Sequence, residues 1–171
     1  MRHQLLPLLA LLPATLAAQQ PQPQPKMPPT CTTPNHAAFD YWVGEWVVAD
    51  TAGKDIAESS ITKLADGCAV LEVWRPKQGP PGTSLNWFET TDKQWHQVWV
   101  AGATPSVTFI GNVVDGAMVM TTAGPGPGPQ GGWARGRWLI RPGGVVRQIF
   151  ENSTDGKSWS VGFVGDYRRK H

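Results

Sequence analysis

At 171 residues and a formal net charge of +2, the chain has the size of a single domain and no excess of charge to recruit a polyanion. Its basic residues cluster only in Arg168-Arg169-Lys170, the pattern of a solvated chain end, so no nucleic-acid partner is expected. The unusual count is nine Trp, a side chain that buries a large apolar area yet carries an N–H needing a partner, and that therefore collects at core edges, interfaces and ligand walls.

The chain starts with a short basic segment, Met1-Arg2-His3, followed by an apolar run from Leu5 to Leu12 and the small residues Ala14-Thr15-Leu16-Ala17-Ala18. That order is the mark of a cleaved signal peptide over residues 1–18, with Ala17 and Ala18 both acceptable cleavage positions. The apolar run is too short to span a bilayer and no longer one follows, so an exported protein without an integral membrane span is expected. Residues 19–34 are rich in Gln and Pro, a composition that reads as an extended, disordered linker. The folded domain is then expected over 35–171, with one helical turn within 35–40.

Phe39-Asp40-Tyr41-Trp42-Val43-Gly44-Glu45-Trp46 packs four aromatic rings into eight residues and runs into Val47-Val48, an aromatic lead-in to a first strand. Turn signals then recur about every ten residues, and the intervening stretches read as strands over 55–64, 68–75, 83–90, 94–101, 106–114, 117–122, 133–141, 145–153 and 158–167. Ten short strands on hairpin-length links, without an amphipathic crossover helix, define an all-β, antiparallel up-and-down meander. Closure into a barrel removes its exposed edges. Strand alternation divides Val70, Glu72 and Trp74 from Ala69, Leu71 and Val73, and Trp95, Gln97 and Trp99 from His96, Val98 and Val100, without fixing which set is interior. Cys31 and Cys68 form an even pair in an exported chain and are expected to join in a disulfide that ties the N-terminal arm to the barrel.

The Gly44-x-Trp46 core resembles the Gly-x-Trp signature that opens the first strand of lipocalin-like (calycin) barrels. That resemblance implies that Trp46 closes one end of the barrel, with an arginine of the last strand stacked on it. Arg168 and Arg169 are the candidates, and Arg169 shares the strand parity of Tyr167, Phe163 and Trp159. More of the chain resembles a group of uncharacterised bacterial exported proteins often filed under the domain of unknown function 1579. The resemblance is carried by Phe39–Trp46, by Asp66-Gly67-Cys68 with Leu71-Glu72-x-Trp74, by Trp95-His96-Gln97-x-Trp99, by Arg147-Gln148-x-Phe150-Glu151-x-Ser153-x-Asp155-Gly156, and by Gly165-x-Tyr167. It implies a lipocalin-like barrel of a periplasmic or secreted bacterial protein and brings no chemistry with it. Nitrobindin-type haem barrels also begin on Gly-x-Trp and hold haem through a His near the C-terminus. Here His171 follows Arg169-Lys170 at the chain end and does not match that position, so no haem and no other cofactor is expected.

Polar groups embedded among aromatic strand residues are the candidate ligand contacts: Glu72 beside Trp74, Asn86, His96 and Gln97 beside Trp99, Arg137, and Gln148 with Glu151. A ligand cavity needs an apolar, aromatic wall with a few convergent polar groups, and this inventory supplies both. The first functional expectation is therefore a small apolar or aromatic ligand in the barrel interior. The alternative is an interaction or structural module of the cell envelope without a cavity. An enzyme resting on Glu72, His96 and Glu151 has least support, because no spacing fixes two of these groups at a working distance. Nucleophile elbows and His-Glu-x-x-His helices are absent, and Gly124-Pro125-Gly126-Pro127-Gly128-Pro129 lacks the lysine of a phosphate-binding loop. His96 and the arm residue His36 do not make a metal set.

Overall fold

The computed structural model describes residues 30–102, 104–126 and 131–170. The expected signal peptide, most of the Gln/Pro-rich stretch and His171 lie outside the described residues. The chain enters through a four-residue helix, α1 (Pro34–Ala37), and a 3-10 turn at Asp40–Trp42. Ten strands follow: β1 (Gly44–Ala49), β2 (Asp55–Leu64), β3 (Ala69–Pro76), β4 (Gly82–Glu89), β5 (Gln94–Ala101), β6 (Val107–Val114), β7 (Ala117–Thr122), β8 (Trp133–Arg141), β9 (Val145–Ser153) and β10 (Ser160–Arg169). Each pairs antiparallel with its sequence neighbours, and β1 pairs with β10, so the sheet is a closed barrel without a free edge. The hairpins follow from local chemistry. Asp115 and Gly116, at φ 51° and 78°, supply the two left-handed residues that a tight β6–β7 turn demands.

Both ends of the domain depart from the sequence expectation. Pro34 opens α1, Cys31 is bonded to Cys68, and the Trp95 indole donates to the Asn35 carbonyl at 3.1 Å, so residues 31–34 belong to the folded domain and not to a linker. The last strand begins later and runs further than 158–167. Asp155 holds residues 155–158 in a turn by accepting the backbone N–H groups of Lys157 at 2.8 Å and Ser158 at 2.7 Å. At the other end Arg168 and Arg169 pair with Val47 and Trp46, so the basic terminus is the closing seam of the barrel. Trp159 precedes β10, and an irregularity between Val161 and Phe163 breaks the parity assumed for it.

One end of the interior is filled by the aromatic lead-in. Phe39 stacks on Trp42 with centroids 4.8 Å apart and meets Trp95 and Trp138 edge-on at 5.6 and 5.3 Å. Trp46 donates its indole N–H to the Trp42 carbonyl at 2.9 Å, while Tyr41 donates its hydroxyl to the Trp138 carbonyl at 2.8 Å and accepts the Met118 N–H at 3.2 Å. Burial pushes the Tyr41 phenol up to about 12, which keeps it neutral as that bridge requires. Over the plug, the Arg169 guanidinium lies 4.4 Å from the Trp46 ring centroid and donates to the Val43 carbonyl at 3.2 Å. Gly44 passes beneath it at φ 149°; a Cβ there would overlap the guanidinium, which gives the glycine of Gly44-x-Trp46 its physical reason. Arg168 instead pairs with Asp55 on the outside.

A candidate binding cavity above a polar layer

The plug occupies one end of the barrel, and toward the other lies a cavity of about 320 Å³, partly open to solvent. Its walls are Trp74, Trp99, Val107, Phe109, Phe150 and Phe163. The rings meet edge-on or tilted: Trp74 to Phe163 at 6.1 Å, Phe163 to Phe150 at 6.4 Å and Phe150 to Phe109 at 5.7 Å. Strand alternation places them. Trp74, Trp99 and Phe163 sit two or four residues from Glu72, Gln97 and Tyr167 on the same inward faces of β3, β5 and β10. Gly82 opposite Trp74 has no side chain, and a Cβ there would overlap the Trp99 indole, so this glycine leaves room for Trp99 to lie over the cavity.

Between plug and cavity is a layer of buried polar side chains centred on Glu72. Ser59 donates to Glu72 Oε1 at 2.9 Å and Ser84 to Oε2 at 3.2 Å, while the Tyr167 hydroxyl lies 3.0 Å from Oε1. Behind Ser84, Gln97 Nε2 donates to Asn86 Oδ1 at 2.6 Å and Asn86 Nδ2 donates to Ser84 Oγ at 3.1 Å. On the far side the Tyr167 hydroxyl meets Gln148 Oε1 at 2.7 Å. The one phenolic proton serves either Gln148 Oε1 or Glu72 Oε1 at a time. Burial pushes the Glu72 carboxyl up to about 7, outweighing the hydrogen bonds from Ser59, Tyr167 and Ser84. Burial and the neighbouring Glu72 likewise hold the Tyr167 phenol well above its ordinary value.

The structure divides the sequence-predicted residues between two faces of the wall. Glu72, Trp74, Gln97, Trp99 and Gln148 line the cavity, and Asn86 stands one hydrogen bond behind them. His96, Arg137 and Glu151 do not join them. His96 bonds Asp92 at 2.7 Å and stacks on Trp87 outside the barrel. Glu151 takes Arg135 at 2.7 Å and Arg137 at 3.8 Å, with Arg135 in turn over the Trp159 ring at 4.2 Å. The physical reason is parity: His96 is adjacent to Gln97, Arg137 to the plug residue Trp138, and Glu151 is three residues from Gln148, so each pair must straddle the wall. Glu72, His96 and Glu151 therefore share no site. Sequence reasoning missed the polar-layer residues Ser59, Ser84 and Tyr167 and the lining residues Val107, Phe109, Ala134, Phe150, Asn152 and Phe163. Phe163 and Tyr167 were within reach, since both share the parity of Arg169.

Among the described residues no group of three or more His, Cys, Asp or Glu side chains is arranged to hold a metal ion, and no helix is long and apolar enough to cross a membrane. No protein-family model and no curated protein matches this chain.

Proposed function

We propose that this chain is an exported lipocalin-like barrel that binds one small, mainly apolar or aromatic molecule in its interior. The observation that carries the reading is the 320 Å³ cavity walled by Trp74, Trp99, Phe109, Phe150 and Phe163 above the Glu72 layer. Ligand cavities range over roughly 300 to 1,000 Å³, so the occupant is at the small end, of the size of a single substituted ring. Export is supported by the basic-apolar-small order of residues 1–18 and by the Cys31–Cys68 disulfide, a bond that persists in oxidising compartments. The likeness to exported proteins with a Phe-Asp-Tyr-Trp-x-Gly-Glu-Trp opening belongs to the same proposal.

Native mass spectrometry of the mature protein purified from its own host tests it. The expected result is a discrete small-molecule adduct that is lost on denaturation. A clean unliganded mass, together with tryptophan fluorescence indifferent to a panel of single-ring aromatics, would overturn the proposal in favour of an envelope interaction module.

A further inference from the structure

Glu72 is the one charged side chain lining the cavity, and among the described residues no Lys, Arg or His pairs with it. The layer around it is built from donors. Ser59 and Ser84 point hydroxyls at its two oxygens, and the Gln97–Asn86–Ser84 chain orients Ser84 for that purpose. An ionised carboxylate has roughly four acceptor positions, of which three are met here by Ser59, Ser84 and Tyr167. What the site lacks is a countercharge. A buried carboxylate without one stays protonated or takes a cation from elsewhere.

We infer that the cavity is selective for a small organic cation, an ammonium group on an aromatic or alkyl body, with the nitrogen seated on Glu72 and the body against Trp74, Phe150 and Phe163. Glu72 and Trp74 stand at i and i+2 on β3, so the carboxylate and the nearest indole project from the same face toward one occupant. Aromatic faces add their own attraction for a cation in a site with little water. Anionic ligands are disfavoured by the same inventory, since the lining offers a carboxyl and no cation. Binding is an exchange: the protonated Glu72 carboxyl releases its proton to solvent and the carboxylate forms an ion pair with the incoming ammonium, so charge in the layer balances before and after. The elements packed around Glu72 present Ser59 from β2, Ser84 and Asn86 from β4, Gln97 from β5, Gln148 from β9 and Tyr167 from β10. Of these only Tyr167 titrates, and it stays neutral throughout the range in which Glu72 changes charge.

This inference rests on the interior being a binding site, and the test separates the two. Phenethylamine, phenethyl alcohol and phenylpropionate have nearly the same shape and differ in charge, and each is titrated into the mature protein by calorimetry. The expected order is amine over alcohol by roughly tenfold or more, the worth of a charge-assisted hydrogen bond, with the carboxylate weakest. Amine affinity is expected to rise as pH is raised through about 7, with proton release visible as a dependence of the binding heat on buffer ionisation. Glu72→Gln is expected to bring the amine down to the level of the alcohol. Equal affinity for amine and alcohol in the wild type, or an amine preference that survives Glu72→Gln, would overturn the inference and leave interior binding standing. Should the variant fail to fold, the wild-type pH profile decides: an amine affinity that does not change through that range is an overturning result. Binding of none of the three overturns both readings.

Discussion

Two residues carry most of what can be tested one side chain at a time. Glu72 stands above its ordinary value of 4.5, so between pH 4.5 and about 7 the folded protein keeps a proton that the unfolded chain has lost. That contribution to stability is fully present below pH 4.5 and disappears as pH rises through 7, to an extent on the order of 3 kcal/mol. Denaturant unfolding of wild type and Glu72→Gln between about pH 5 and pH 8 checks this: the wild type is expected to lose stability relative to the variant as pH increases. A pH-independent difference would show that Glu72 is ionised in the empty barrel. Arg169 is the second. Its guanidinium covers Trp46 at 4.4 Å and takes the Val43 carbonyl, so Arg169→Ala is expected to cost about 1 kcal/mol and to lower the melting temperature. An unchanged melting temperature would reduce the stack to a solvated contact.

At the scale of elements, strand existence was readable and strand facing was not. Turn chemistry punctuates the chain so regularly that β2, β5, β7, β8 and β9 fall at the residues the sequence indicates, because Asp-Gly, Pro-Gly-Gly and Asp-Lys dictate local backbone regardless of what lies across the barrel. Facing depends on the partner strand. Trp occurs on both sides of the wall, with Trp95 in the buried core, Trp99 lining the cavity and Trp87 against His96 outside, so aromatic content did not reveal the interior. Parity within a strand was available and excludes His96 and Glu151 once Gln97 and Gln148 are taken as inward. Ser59 and Ser84 left no signal, since a strand serine is equally at home in water and becomes a Glu72 ligand only through the β2–β3–β4 register. The entering arm is a single helical turn held by the Cys31–Cys68 bond across 37 residues, by the Trp95–Asn35 hydrogen bond and by His36 edge-on to Phe88. By loop-closure entropy that bond contributes roughly 3–4 kcal/mol, and the double variant Cys31→Ser, Cys68→Ser is expected to unfold at correspondingly lower denaturant concentration. A midpoint within error of the wild type would mean that the unfolded chain is not restricted by the bond.

Seen whole, the barrel is a stack of three layers: an aromatic plug from the N-terminal box, a polar sheet of side chains around Glu72, and an aromatic chamber. The plug and the seam between β1 and β10 make one end dense, with Phe39, Trp42, Trp46 and Trp138 fully buried. Space is left where β3, β5, β6, β9 and β10 carry rings around a gap. A core of the same composition packed throughout would be a structural module. The gap above the polar layer is the feature on which the proposed binding rests, and the direct question is whether small molecules enter it.

The indole N–H region of a two-dimensional ¹H–¹⁵N spectrum answers that most directly, because the nine Trp report from every part of the barrel at once. Phenethylamine and phenethyl alcohol are added in turn to the labelled protein, with resonances assigned by substitution. Saturable shifts are expected at Trp74 and Trp99, which wall the chamber, with Trp87 and Trp159 on the outer face unmoved. Shifts confined to the outer-face indoles, or a spectrum that neither compound perturbs, would contradict interior binding.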